Sequence, residues 1–384
     1  MKIATLMLVS TPYFITRYSA FVKAFPACSL HSIELGRTST TYPWQPHDDP
    51  LFYDRWVLTE KPAESESTLN LVKALFRVLN QIQPDAMAIA GYAFPTMIAA
   101  AFWCTLHRKP VVIFSDSKAD DAPRSWWKEL PKRLILQRYQ AALVAGKPHR
   151  RYLAQLGMSE AALFSGYDVV DNAAFHPDQI EALPNAFERP YFLAINRFVP
   201  KKNLLNLVSA YAQYRERVNG KAWDLVLCGD GVLRSQIEAE LDRLQLRAYV
   251  HLTGFLEQQD ILPLYAHAGC FIHASIQEQW GLVVNEAIAA ALPVLVSTAC
   301  GCFEDLVIEG VNGFGFEPEN VAQLAELMAR MSSEQVDLKV MGQASLQLSQ
   351  NFSPEYFAEA LYDAIQYAAH QLTKSELLAF EKKS

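Results

Sequence analysis

The sequence predicts an α/β fold in which two parallel-sheet domains face each other across a cleft. Three observations carry that expectation. Apolar runs of strand length alternate with stretches of helical period along most of the chain, and repeated β-then-α units imply parallel sheets covered on both faces. At 384 residues the chain is too long for one ordinary core. Residues 177–189, PDQIEALPNAFER, are polar and carry two prolines, so they read as a linker between halves of similar size.

In the first half, 3–9 is a continuous apolar run of strand length, 14–25 has helical spacing, and 30–35 reads as a second strand. Residues 38–66, rich in Pro, Asp, Trp and Tyr without a period, read as a long loop. Leu71, Leu75, Val78, Leu79 and Ile82 fall on one side of an amphipathic helix over 69–82, which Pro84-Asp85 ends. A strand over 86–90, an apolar helix over 94–106, a strand over 110–114, a helix over 126–139 and a strand over 142–145 follow. Beyond the linker the expected strands are 191–195, 223–228, 250–252, 270–274 and 294–297, with helices near 203–218, 232–244 and 258–267. Ser353 as N-cap and Pro354 at the first helical position open a last helix to about residue 372, followed by a charged, fraying tail. The domains are thus expected at 1–180 and 187–350, with helix 352–372 packing back toward the first.

Composition narrows the function classes. The chain is 51% hydrophobic and 20% charged, a globular profile, and its net charge of −7 argues against general nucleic-acid binding. Cysteines 28, 104, 228, 270, 300 and 302 form no disulfide framework and suggest a reducing compartment. Cys300-Gly-Cys302 lacks a second Cys/His pair at ligand spacing, so a loop or core role is favoured over a metal site. The N-terminal apolar run lacks a small-residue cleavage site and reads as a first buried strand. No apolar run reaches the length of a membrane span. A cytoplasmic protein is expected.

The chemistry concentrates in SIQEQWGLVVNEAIAAALP, residues 275–293. A strand precedes it and another follows, with Gly281 ending the loop and a helical pattern beginning at Leu282. Glu278 then lies in the loop at the strand's carboxyl end and Glu286 about one turn into the helix. Ligands bind at that edge of an open parallel sheet, and a helix start favours anions. Two carboxylates bracketing an anion site suit a ligand with hydroxyls at both ends and phosphate between, such as a sugar nucleotide; solvated surface acids are the plain alternative. Arg197, Lys201 and Lys202 follow the first strand of the second half, where they suit a diphosphate or make a solvated basic turn. Gly229 and Gly231 after the second strand, and Gly254 after the third, either admit a flat base to the backbone or simply make tight turns.

Together RFVPKKN, LVLCGDG, GFLEQQDILPLYAHA, the EQWGLVVNE core and CGCFEDLVIEGVNGF resemble, in order and spacing over about 190–320, the second domain of family 4 glycosyltransferases. The first half is more loosely similar, through GYAFPT, PVVIFSDS and VVDNAAFHP. The resemblance implies the GT-B fold, two Rossmann-like domains, with acceptor bound by the first and nucleotide-sugar donor by the second. It implies a hexosyl-type transferase that retains anomeric configuration, needs no metal or other cofactor, and builds a glycan, polysaccharide or glycolipid. Arg197 and Lys202 would bind the diphosphate, Glu278 the sugar hydroxyls and Glu286 the ribose hydroxyls. Leu282 and Val283 would offer backbone N–H groups. The absence of an Asp-x-Asp pair agrees with charge neutralisation by side chains and a helix start. An acceptor hydroxyl attacking from the leaving-group face, with phosphate taking its proton, is the favoured course.

The chain departs from that pattern in three places. The loop after the first strand, Ser10-Thr-Pro-Tyr-Phe14, has no Gly where many relatives do. Asp116 stands where many relatives carry a His, as a catalytic group or a cap. Ala291 replaces a common Gly, which should affect packing only. The alternatives are a GT-B phosphorylase or nucleotide-sugar epimerase acting without an acceptor alcohol, or a non-catalytic sugar-nucleotide sensor. A dehydrogenase is poorly supported, since no strand runs into Gly-x-Gly-x-x-Gly. Finally, residues 122–152 hold eight Lys/Arg against Glu129, a net +7, beside Trp126 and Trp127. That suits peripheral contact with the inner face of a membrane, a lipid-linked acceptor, or a solvated helix face.

Overall fold

The structure, a computed structural model, describes residues 1–40, 51–121, 126–218, 220 and 222–381. Residues 41–50 of the expected long loop, residues 122–125 of the basic stretch and the last three of the tail lie outside these. The chain folds into two compact units: Met1–Val170 with the chain from Ser353 onward, and Asp171–Phe352.

The first unit runs β1 (Lys2–Met7), α1 (Pro12–Ala24), β2 (Ser29–Glu34), β3 (Asp54–Val57), α2 (Thr68–Ile82), β4 (Ala86–Ala90), α3 (Pro95–Leu106), β5 (Val111–Ser115), α4 (Trp126–Leu136), β6 (Ala141–Val144), α5 (Lys147–Gln155) and β7 (Leu163–Ser165). Its parallel sheet has the order β3-β2-β1-β4-β5-β6-β7. Strands such as β5, Val-Val-Ile-Phe-Ser, are continuous apolar runs because both faces are covered. On one face Ala4, Leu6, Met87, Ile89, Ile113 and Val144 meet Leu75 and Leu79 of α2, Ala100 of α3 and Leu153 of α5. Ser67 caps α2, its hydroxyl accepting from Asn70 N, and Gln83 ends that helix in the left-handed region.

The second unit runs α6 (Asn172–Phe175), α7 (Pro177–Ile180), β8 (Tyr191–Ile195), α8 (Leu204–Val218), β9 (Asp224–Cys228), α9 (Arg234–Arg243), β10 (Val250–Gly254), α10 (Gln258–His267), β11 (Cys270–His273), α11 (Leu282–Ala289), β12 (Val294–Ser297), α12 (Phe303–Leu306), β13 (Gly313–Phe316), α13 (Val321–Met331) and α14 (Leu338–Ser349). Its parallel sheet has the order β10-β9-β8-β11-β12-β13. The chain then returns to the first unit as α15 (Pro354–Glu381). There Tyr362 stacks on Phe25 at 4.2 Å, while Phe357 meets Tyr18 of α1 and Phe114 of β5.

Several sequence expectations need correction. The 38–66 stretch is not all loop: β3 adds an edge strand, pairing with β2 through Ile33 and Trp56. Its four residues are polar or half-buried, so no apolar run announces it. Instead the Arg55 guanidinium grips buried Glu34 through two hydrogen bonds of 2.6 and 2.9 Å. The 177–189 stretch is not a free linker. It begins with α7, buries Ile180, and places Leu183 O 2.6 Å from His267 Nε2. The last helix continues to Glu381 instead of ending near 372. Among the described residues, no helix is long and apolar enough to cross a membrane.

Candidate functional site

Strand β11 carries the site to the carboxyl edge of the second sheet. Its run Cys-Phe-Ile-His is wholly buried, and the chain then leaves the sheet through Ala274 and Ser275. Backbone contacts hold the loop that follows, among them Cys302 N donating to Trp280 O at 3.2 Å. Ile276 N donates to Lys201 O at 2.9 Å, tying it to the turn after β8, and Gly301 N donates to Glu278 O at 3.1 Å. Gly281, with φ +115°, turns the chain into α11; only a glycine adopts that conformation readily. The first N–H groups of α11, from Leu282 and Val283, have no acceptor within the helix.

Glu278 is the centre of this loop. The Lys202 ammonium donates to its Oε2, Lys201 Nζ lies 3.9 Å from Oε1, Ser275 Oγ donates to Oε2 at 3.3 Å, and His273 Nε2 lies 3.4 Å away. Burial by itself would raise the carboxyl's pKa. The His273 hydrogen bond and the Lys202 charge outweigh it and hold Glu278 well below the ordinary carboxylate range. Glu278 is therefore ionised, an acceptor with no proton to give. Burial pushes His273 the other way, below its ordinary value, against the pull of Glu278. His273 Nδ1 has no partner among the described residues. One strand away, at the end of β8, Asn196 is buried with neither side-chain amide atom hydrogen-bonded. These two residues lie on one sheet edge, though buried polar atoms without a partner among the described residues also occur in the first unit, at Ser10 and Tyr18 for example.

Glu286 occupies a different niche. It is 3% exposed and its Oε2 accepts from the buried Tyr265 hydroxyl at 2.7 Å. The Cys228 thiol at the end of β9, raised first by burial, is raised further by the Glu286 charge. Glu286 thus lies within electrostatic reach of the end of β9. Arg197 is exposed and forms no ion pair among the described residues. His273, Ser275 and Tyr265 were not singled out from sequence as site residues, and Lys201 was read only as one of three cations suited to a diphosphate. A histidine inside the apolar run CFIHA was the one available signal; Tyr265 gave none.

The three glycines divide. A Cβ at Gly229 would lie 1.8 Å from Asn196 O, and one at Gly231 would lie 2.6 Å from Phe198 O. At these positions the absent side chain makes room for the neighbouring backbone of 196–198. Gly254 faces open space, its would-be Cβ meeting only Arg234 Nη1 at 4.0 Å. In the first unit, Asp116 follows β5 and is half-buried. Asp168 there is pushed up to about 7, by burial first, with Arg17 opposing and Asp116 adding. Among the described residues, no group of three or more His, Cys, Asp or Glu is placed to hold a metal ion, and all six cysteines are free thiols.

Residues 176–347 match the family model described as Glycosyl transferases group 1. The glycosyltransferase MJ1607 of Methanocaldococcus jannaschii is 32% identical over 142 residues, 37% of this chain and 35% of its own length. Human alpha-1,3/1,6-mannosyltransferase ALG2 is 27% identical over 214 residues, 52% of this chain and 50% of its own. The chain spans half or less of these curated relatives. Anabaena Alr3699/HepE, solved in complex with UDP, superposes with a TM-score of 0.73 at 19% identity, over 95% of this chain and 100% of that one. The fold is GT-B. In GT-B terms the Lys202–Glu278 cluster lies in the second Rossmann-like unit, within the stretch that the family model matches.

Proposed function

We propose that this chain is a retaining, family 4 type glycosyltransferase. It moves a sugar from a nucleoside-diphosphate donor to an acceptor hydroxyl in glycan, polysaccharide or glycolipid synthesis, and it uses no metal. One observation carries the reading: an ionised Glu278, oriented by His273 and paired with Lys202, on a sheet edge that also carries two unpaired buried polar residues.

In this reading Arg197 and Lys202 neutralise the diphosphate, and the start of α11 adds backbone N–H groups from Gly281, Leu282 and Val283. Glu278 accepts hydrogen bonds from the donor sugar. Glu286, steadied by Tyr265, accepts from the ribose, and Gly254 leaves room for the base. The bond from the anomeric carbon to phosphate oxygen breaks as the bond to the acceptor oxygen forms on the same face. The acceptor's proton passes to the departing phosphate, and the transition state is oxocarbenium-like. Electrostatic stabilisation of the leaving group then replaces a metal ion. Asp116 contributes from the acceptor-binding unit.

A thermal-shift series over UDP-, GDP- and ADP-sugars tests the donor. HepE was solved with UDP, so the UDP-sugars come first. The true donor raises the melting temperature, by about 2.7 kcal/mol of stabilisation at a hundred times its Kd. Transfer should survive EDTA. A strict metal requirement contradicts the leaving-group argument, and stabilisation without any turnover would leave a sugar-nucleotide sensor instead.

A further inference from the structure

Helix α4 is built inside out. A surface helix normally buries its apolar stripe and shows its charges to water. Here Trp127, Leu130 and Leu134 are 59%, 51% and 54% exposed, and Pro131 is exposed between them. At positions i, i+3, i+4 and i+7 they share one outward face. The charges turn inward: Lys132 Nζ donates to Glu129 Oε1 and to the Tyr152 hydroxyl, both at 2.9 Å, and that hydroxyl donates to Glu129 Oε2 at 2.7 Å. This partly buried triangle fixes which side of α4 meets the sheet. The outward face continues onto α3, whose Phe102 and Leu106 are 52% and 80% exposed. Arg138, just past α4, lies over the Phe102 ring at 5.4 Å and links the two.

The stretch of sequence that holds α4 is cationic, with Lys132 and Arg150 paired to Glu129 and Glu160. Residues 122–152 carry a net +7 in a chain whose net charge is −7. Exposed Arg133 reaches α5 by donating to Gln155 O at 3.1 Å, and Lys147 and Arg151 on α5 are exposed. The nearest upstream acids are engaged elsewhere, Asp120 by the Lys118 ammonium and Asp121 by the Lys118 backbone N–H. A second copy of this chain would bring two such positive faces together, and like charges juxtaposed are costly. An anionic bilayer satisfies both features, since exposed aromatic and aliphatic groups enter the headgroup boundary and cations meet lipid phosphates. We propose that the outward face of α3 and α4 docks the protein on anionic lipid membranes.

Co-sedimentation of the full chain with phosphatidylcholine vesicles, with and without about 30% phosphatidylglycerol, tests this without any sugar transfer. Binding to the anionic vesicles should exceed binding to the neutral ones by roughly tenfold at low salt and fall as salt rises. The triple variant Trp127→Ser/Leu130→Ser/Leu134→Ser should lose roughly tenfold in binding while keeping its circular-dichroism melt, because those side chains point outward. Arg133→Glu/Arg151→Glu should abolish the preference for anionic vesicles. Equal binding by wild type and the triple variant overturns the proposal, as does wild type ignoring anionic vesicles. So does light scattering that shows a dimer which the triple variant breaks, with no vesicle binding by either. None of these results bears on the donor reading, which the thermal-shift series decides separately.

Discussion

Counted from the first strand of each unit, both sheets run 3-2-1-4-5-6, with a seventh strand in the first unit. Their cations are nevertheless used in opposite ways. In the second unit Arg197 stays exposed, and Lys202 is held by a carboxylate at the mouth of the sheet. In the first unit Arg17 is 2% exposed and committed: Nε and Nη2 donate to Val169 O, and Nη2 donates to Asp168 at 3.2 Å. One scaffold thus carries an edge with an exposed Arg197 beside the Lys202–Glu278 pair and an edge closed over Arg17 and Asp168. The topology is shared, and the chemistry belongs to the loops.

The comparison breaks most sharply by substitution. Lys202→Ala and Glu278→Gln should each lower turnover about 10²–10³-fold, the loss typical of removing one preorganised electrostatic contact, and Glu278→Gln should also give up the stabilisation that its depressed carboxyl supplies above its ordinary 4.5. Arg17→Met should instead leave turnover intact and cost stability, about 1–3 kcal/mol for each buried acceptor, Val169 O and Asp168, that loses its donor. Calorimetry and initial rates on the same preparations check both. A Lys202→Ala protein that melts early yet turns over normally would erase the distinction between the two edges.

Acidity separates the units again, with opposite signs. Asp168 is raised from 3.8 to about 7. Between about pH 4 and pH 7 the native state therefore holds a proton that the unfolded chain has released, so this group's stabilisation is lost as pH rises through that window. Glu278 is depressed below its ordinary 4.5. Its stabilisation is present above that value and is lost as pH falls below it. Asp168→Asn should flatten the neutral-side slope, and Glu278→Gln the acid-side slope. Denaturant melts across pH 3–8 read both (roughly the range where the two groups titrate).

What was legible in the sequence follows the same division. Strands β4, β5, β8 and β9 were plain because burial on both faces writes them as unbroken apolar runs. Strand β3 was hidden because an edge strand needs little apolar content, and its anchor, Glu34 with Arg55, joins residues 21 apart. At the site, Glu278 and Lys202 stood out because their motifs are local. Tyr265 did not, since its meeting with Glu286 depends on how α10 lies against α11. The glycines were legible in part, for a related reason. Spacing shows that a backbone must come close at Gly229, and only the fold shows that it is Asn196 that does so.

The smallest effect concerns two helix ends, one in each unit. Helix α2 ends at Gln83 with φ +52°, and α11 is followed by Ala291 with φ +55°. Left-handed backbone costs a residue bearing a Cβ roughly 1 kcal/mol or more, which is why glycine dominates there. Against that, glycine loses about 0.4–1 kcal/mol through the greater freedom of the unfolded chain. Ala291→Gly should therefore be neutral to stabilising, by up to about 1 kcal/mol. Gln83→Gly should gain less, since Gln83 Nε2 also donates to Asn80 O at 2.9 Å. The two positions differ further in what lies behind them. Gly342 of α14 approaches Ala291 so closely that a Cβ there would sit 2.2 Å from Ala291 O. Gly342→Ala should thus cost about 1–3 kcal/mol by forcing α14 off α11. If Ala291→Gly instead lowered the melting temperature, the alanine methyl would be contributing more to the packing of α11 on α14 than the backbone conformation costs.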